Sequence, residues 1–159
     1  MISSYCINKQ KDFLGDHIIF DEIKKNIGNG IQILHGESGT GKTSVINLIC
    51  NTNNIDALEF NAGSKKSLKY FNEKIFDFLS NKSLEKTKAI IFDDFEVLIQ
   101  EHIGAISILD ILCNYTQHPI FICVNSFYIQ KLEKYKKCNM FFYKIPMPTK
   151  ALITKHCLN

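Results

Sequence analysis

Apolar residues along this chain fall into short blocks separated by polar and glycine-containing turns, and the blocks alternate between two kinds. The first kind is a continuous apolar run of four to six residues. Ile31–His35, Ala57–Phe60, Lys88–Asp93, Pro119–Val124 and Met140–Tyr143 read this way, as five strands. The second kind has helical spacing. Phe20–Asn26 predicts a short helix stopped by Gly28 and Gly30, and Ser44–Cys50 a second. Asn51–Asn54 is read as a polar turn. Ser64 is placed to cap a third helix running to about Leu79, with Leu68, Phe71, Ile75, Phe76 and Leu79 on one face. A fourth spans about Glu101 to Tyr115, with Ile103, Ile106, Leu109 and Leu112 in line. Residues 127–134 predict a short helix, and Pro146 and Pro148 lead into a last one. Residues 1–17 are polar and read as irregular. Strands without polar alternation, interleaved with helices, are the pattern of a mainly parallel sheet covered on both faces. The expectation is an α/β three-layer sandwich with a five-stranded sheet.

One segment gives that sandwich a chemistry. Gly36-Glu37-Ser38-Gly39-Thr40-Gly41-Lys42-Thr43 is a complete G-x-x-x-x-G-K-T loop, preceded by a strand and followed by a helix. The glycines let successive backbone N–H groups face phosphate oxygens, and the positive end of the next helix adds its field there. Gly36 to Ser44 are therefore the candidate phosphate-binding residues. Lys42 has the reach for the β- and γ-phosphates, and the Thr43 hydroxyl is a Mg²⁺ ligand. The loop implies nucleoside triphosphate binding, and the expected fold is that of a P-loop nucleoside triphosphatase.

Two further strand ends share the loop's edge of a parallel sheet. Ile90-Ile91-Phe92-Asp93-Asp94 delivers a pair of carboxylates. Asp93 suits a Mg²⁺ contact through water, and Asp94 is placed to polarise the attacking water. Many ATPases carry Glu at that second position. Asp is one methylene shorter, so hydrolysis is slower or Glu96 contributes. Asn125 ends the fourth strand, where its amide is read either as facing the γ-phosphate or as capping the next helix.

Composition narrows the class. With 159 residues, 45% hydrophobic and 22% charged, the chain reads as one globular core spanning 1–159. No apolar stretch is long enough for a membrane span, and the N-terminus lacks the pattern of a signal peptide. An intracellular protein, nuclear or cytoplasmic, is expected. The six cysteines form no C-x-x-C pair, so they read as core thiols in a reducing compartment. All 19 basic side chains are lysine, and the net charge of +3 is too small to demand a nucleic-acid partner. Lys131, Lys134, Lys136 and Lys137 around Tyr135, and Lys65, Lys66 and Lys69, are either solvated faces or a phosphate-tracking surface.

Together these residues resemble the AAA+ ATPase core, and more narrowly its clamp-loader branch, the replication factor C large subunit in particular. Lys42 and Thr43 fall on the Walker A motif, Asp93-Asp94-Phe95-Glu96 on Walker B, and Asn125 on sensor 1. Leu58 to Leu68 is similar to that family's E-x-N-A-S-D segment, and His118 to Asn125 to its sensor 1 strand. Phe142 to Pro146 is similar to its F-x-R-P strand, with Lys144 where Arg is usual. The resemblance covers about residues 13–157. It implies ATP and Mg²⁺ as ligands, partner AAA+ subunits, a sliding clamp, and DNA met through the complex. It also marks departures. Without any arginine in these 159 residues, no arginine finger or sensor 2 arginine is expected from them, and helical lid and collar domains are not expected within them. A finger supplied in trans is worth about 10³ to 10⁵ in rate, so the chain alone is expected to turn over ATP feebly.

Three functions follow from these residues. The first is an ATP-binding AAA+ domain in DNA replication or repair, with Asp94, Lys42 and Asn125 as catalytic residues. The second is a nucleotide-dependent scaffold that hardly hydrolyses ATP. The third, a small-molecule kinase, is disfavoured because such enzymes use lid arginines.

Overall fold

The computed structural model describes residues 17–61, 67–81, 86–100, 104–149 and 154. Five strands form one sheet: β1 (Ile31–His35), β2 (Ile55–Asn61), β3 (Thr87–Asp93), β4 (Ile120–Val124) and β5 (Met140–Lys144). Their order is β2-β3-β4-β1-β5, and every neighbouring pair runs parallel. Among the described residues the sheet is wholly parallel. Parallel pairing follows from the helices between strands, which carry the chain back to the starting edge each time.

Register aligns the chemistry. His35 pairs with Val124 on one side and Lys144 on the other, while Phe92 pairs with Ile122. The C-terminal ends of β1, β3 and β4 therefore open onto one edge. There the loop after β1, the acids after β3 and Asn125 after β4 all emerge.

Successive strand residues face opposite sides, so each apolar run feeds two cores. Ile31, Ile33, Ile90, Phe92, Ile120, Ile122 and Val124 face α3 (Leu68–Ser80), α4 (Glu96–Gln100), α5 (Gly104–Cys113) and α6 (Ile129–Glu133). Leu34, Ala89, Ile91, Phe121, Cys123 and Tyr143 face α1 (His17–Asn26) and α2 (Lys42–Thr52). Phe60, Phe71, Phe92 and Phe95 stack edge-on or offset with centroids 4.9 to 5.8 Å apart, anchoring the β3 side.

Among the described residues Gln32, Thr40 and Lys88 are the buried polar side chains, and Gln32 lies deepest. Gln32 is fully buried; its amide donates to the Asn26 and Gly30 carbonyls at 2.9 and 3.2 Å, and it accepts from the Tyr143 hydroxyl at 2.9 Å. Asn26 donates to the same hydroxyl. This network ties the end of α1 to β1 and β5 without an orphaned group.

Several boundaries differ from those read off the sequence. Helix α3 starts at Leu68 with Ser67 as its cap, the hydroxyl accepting from Tyr70 N; Ser64 lies outside the described residues. Its buried face is Phe71 and Ile75, while Phe76 is 60% exposed because it sits on the flank of the stripe. In α5 the buried positions are Ala105, Ile108, Leu109 and Leu112, so Ile106, at 59% exposure, points outward. Ile103 and Glu101 lie outside the described residues, as do residues 1–16 and the helix expected after Pro148, except residue 154. Helix α2 runs on through Asn51 and Thr52, shortening the expected turn. Residues 127–134 resolve into a 3-10 turn, Ser126–Tyr128, followed by α6. Helix α4, one residue after the acidic pair, has no counterpart among the elements the sequence predicts. Among the described residues no helix is long and apolar enough to cross a membrane.

Candidate functional site

The loop between β1 and α2 is built on backbone that favours glycine. Gly39 and Gly41 have φ of 80° and 90°, in the left-handed region. Gly36 is required for a different reason, because a Cβ there would lie 2.5 Å from the Ile145 carbonyl oxygen. A Cβ on Gly39 would meet nothing within 4 Å, since that residue borders open space. Thr40 is buried, and its hydroxyl donates to the Glu37 carbonyl at 3.0 Å, bracing the bend from within.

Lys42 opens α2, and its ammonium donates to the Gly36 and Glu37 carbonyls at 3.0 and 2.8 Å. Those bonds hold the charge at the mouth of the loop. One residue on, the Thr43 hydroxyl donates to Asp93 Oδ2 at 2.9 Å. This contact spans 50 residues of sequence and joins the loop to the end of β3. Ser38, Gly39, Gly41, Lys42, Thr43, Ser44, Asp93 and Asp94 together line a depression of about 300 Å³. Asp94 occupies the left-handed region with φ of 51°, and its N–H is bonded to Asp93 Oδ1 at 3.1 Å. That sharp turn separates the two carboxylates, one bonded to the loop and the other at the rim.

Asn125 does not line this depression. It borders an adjoining one of about 260 Å³ with Gly36, Glu37 and Thr40, so the loop is the wall between the two. Its side-chain oxygen accepts from Phe127 N at 3.3 Å, capping the 3-10 turn. The capping role is therefore present, and the Nδ2 group is the donor that would address a phosphate. Glu96 Oε2 accepts from Asn125 N at 3.3 Å. His35, at the end of β1, shares a hydrogen bond with Ser126 Oγ at 3.3 Å. Neither Glu96 nor His35 is singled out for this role by the sequence, because α4 brings one to the edge and the pairing of β1 with β4 the other.

The electrostatics follow the packing. Burial, then the Lys144 ammonium and less strongly Lys42, lower the pKa of His35 below 6.5, while Glu133 opposes them. Burial and then the Asp93 charge push the Cys123 thiol well above its usual 9.0, so it is a neutral core group beneath the site.

The donor set fits a phosphate chain carrying a hard cation. Lys42 supplies a cation, α2 its positive end, and Thr43 with Asp93 an oxygen pair of the type Mg²⁺ takes. Among the described residues no cluster of three His, Cys, Asp or Glu side chains exists to hold a metal alone. A cation here would share its coordination with phosphate oxygens and water, as Mg²⁺ does with nucleotides.

A parallel sheet with strand order 2-3-4-1-5, a glycine loop between its first strand and the next helix, and an acidic β3 end bonded to that loop define a P-loop nucleoside triphosphatase fold. The chain belongs to the AAA domain family, whose model matches residues 26–112, more than half its length. It is 27% identical over 151 residues to the replication factor C large subunit of Nanoarchaeum equitans, covering 94% of this chain and 34% of that protein. Against the replication factor C large subunit of Methanococcus vannielii it is 28% identical over 99 residues, covering 60% and 20%. The chain thus spans 34% and 20% of the length of these relatives. The likeness agrees with an AAA+ core of the clamp-loader type.

Proposed function

We propose that this chain is an ATP-binding AAA+ domain working in DNA replication or repair, in the manner of a clamp-loader large subunit. The observation that carries the nucleotide assignment is the 2.9 Å bond from Thr43 to Asp93, set beside the ammonium of Lys42. Bound ATP with Mg²⁺ would supply the transferable γ-phosphoryl group. Lys42 would exchange its two carbonyl acceptors for charged phosphate oxygens, which are stronger partners. Thr43 would turn its hydroxyl oxygen to the cation, and Asp93 would hold the cation's water. Asp94 would polarise the attacking water, and Asn125 would donate through Nδ2 to the γ-phosphate.

The partners are other AAA+ subunits and a sliding clamp, with DNA met through the complex. The similarity to two replication factor C large subunits supports this. Exposed Lys131, Lys134 and Lys136 are available to a phosphate backbone, whereas Lys137 is paired with Asp110 at 2.7 Å and Lys69 lies 3.7 Å from Glu73. The short Asp94 side chain, at a left-handed turn, supports a second reading in which nucleotide closes an interface with little hydrolysis.

Turnover assays separate these. The isolated chain should hydrolyse ATP weakly, and an arginine-bearing small clamp-loader subunit should accelerate it. Brisk turnover by the chain alone, abolished in Lys42→Ala, contradicts the partner dependence. Partner binding that needs ATP yet brings no acceleration favours the scaffold.

A further inference from the structure

The turn that carries Asn125 is held from both sides, by Glu96, which the sequence offers as an aid to hydrolysis, and by Gln100, Phe95 and His35, which have no assigned part in nucleotide chemistry. On the β3 side, Glu96 Oε2 accepts from Asn125 N at 3.3 Å, and Gln100 Nε2 donates to the Tyr128 hydroxyl at 2.5 Å. Glu96 and Gln100 are the first and last residues of α4, so this helix grips the turn at both its ends. Phe95, fully buried, donates its N–H to the Cys123 carbonyl at 3.0 Å and carries the β3–β4 pairing past Asp93. On the β1 side, His35 Nδ1 meets Ser126 Oγ at 3.3 Å, immediately before the phosphate loop. Inside the turn, Asn125 O accepts from Tyr128 N at 3.0 Å and Asn125 Oδ1 from Phe127 N at 3.3 Å.

These bonds have a consequence for the asparagine amide. Its oxygen is engaged by Phe127 N, so the orientation of its NH₂ group is set by the placement of the turn. Whatever fixes the turn aims that donor. The Glu96 carboxylate is anchored to the turn through Oε2 by that backbone N–H.

We propose that Glu96 and His35 are positioning residues that hold the Asn125 turn between the acidic strand end and the phosphate loop, and that Glu96 acts through Asn125 rather than as a base toward water. This rests on the nucleotide reading above. It makes the recognition of a γ-phosphate depend on two side chains that never touch it. It also separates Glu96 from Asp94, two carboxylates that the motif alone leaves interchangeable.

The test uses titration calorimetry with Mg·ATP and Mg·ADP, and amide hydrogen exchange over residues 121–128 without nucleotide, on four proteins. These are the wild type, Glu96→Ala, Glu96→Gln and Ser126→Ala, the last removing the partner of His35 without touching the core. The wild type should prefer ATP. Glu96→Ala and Ser126→Ala should each reduce that preference by up to about tenfold, leave ADP affinity within about twofold, and speed exchange in the turn. Glu96→Gln retains an acceptor oxygen and should restore both readouts. Equal impairment in Glu96→Gln and Glu96→Ala overturns the proposal, since charge would then matter rather than the accepted bond. Faster exchange with an unmoved ATP-to-ADP ratio overturns it as well, leaving the bonds structural. Wild type that binds both nucleotides without preference removes the γ-phosphate from Asn125 and ends the proposal while sparing nucleotide binding. Wild type that binds neither nucleotide overturns the nucleotide reading itself and this proposal with it.

Discussion

A methyl group placed on Gly36 gives the sharpest test of how the phosphate loop is held. In Gly36→Ala the new Cβ would sit 2.5 Å from the Ile145 carbonyl oxygen and 3.0 Å from Thr40 Oγ1. Ordinary contact begins near 3.4 Å, so about 1 Å of opening is needed between the loop and the segment after β5. That segment is fixed to β1 by the bond from Ile145 N to His35 O at 2.7 Å, and opening strains it. Overpacking against backbone costs about 1–3 kcal/mol, and a weakened hydrogen bond adds about 0.5–1.5 kcal/mol. The expected loss is therefore about 2–4 kcal/mol, a large share of the stability of a domain this size. Gly39→Ala is the control. Its Cβ meets no atom within 4 Å, and only the left-handed backbone at φ 80° opposes it, for about 1–2 kcal/mol. Urea unfolding by linear extrapolation reads both, and Mg·ATP titration reads the loop directly. Gly36→Ala should lose more stability than Gly39→Ala and also lose nucleotide affinity. If Gly36→Ala proves as stable as wild type and binds normally, the close approach of loop and β5 segment is not what holds the site.

Other expectations concern the frame around the loop. Lys88 is 8% exposed, donates to the Phe78 and Asn81 carbonyls at the end of α3, and lies 5.1 Å from the Phe78 ring centroid. Lys88→Met leaves those carbonyls without their donor and should cost about 1–3 kcal/mol in urea unfolding; an unchanged midpoint counts against the capping role. His35 and His118 both have folded pKa values lowered below 6.5, His35 by burial, Lys144 and Lys42 against Glu133, and His118 by burial and then Lys88. The unfolded chain then takes up protons near pH 6.5 that the folded chain refuses, so stability falls as pH drops through that value and levels below the folded pKa. Thermal unfolding between pH 7.5 and 5.5 should show this decline, shallower in His35→Gln; a parallel profile in the variant removes His35 as a cause.

The parts of this molecule that were legible in the sequence share a physical property: they are local. The five apolar runs became strands because a parallel sheet buried on both faces needs no polar alternation, and the glycine loop carries its conformation in its own residue types. What escaped depends on tertiary contact. Ile106 fits a helical repeat yet faces outward, because Ala105 and Ile108 fill the space against the sheet instead. The cap of α3 is a local miss of a different kind: Ser67 and Ser64 are the same residue type, and only the helix start at Leu68 tells them apart. Helix α4 is only five residues long, too short for periodicity to register, and its hold on the Asn125 turn is a long-range bond. The sequence left Asn125 with two readings. The structure shows the capping bond through the oxygen and places Asn125 in the depression beside the loop's own.

The claim on which the rest depends is that a triphosphate binds at the loop from Gly36 to Thr43. Titration calorimetry of folded wild-type protein and Lys42→Ala with Mg·ATP measures it directly. The account predicts saturable heat for the wild type and its loss, or at least a tenfold weaker affinity, in the variant, since a charge-assisted bond is worth about 1.5–3 kcal/mol. No heat from ATP, GTP or their diphosphates in the presence of Mg²⁺, on protein shown to be folded, would contradict it.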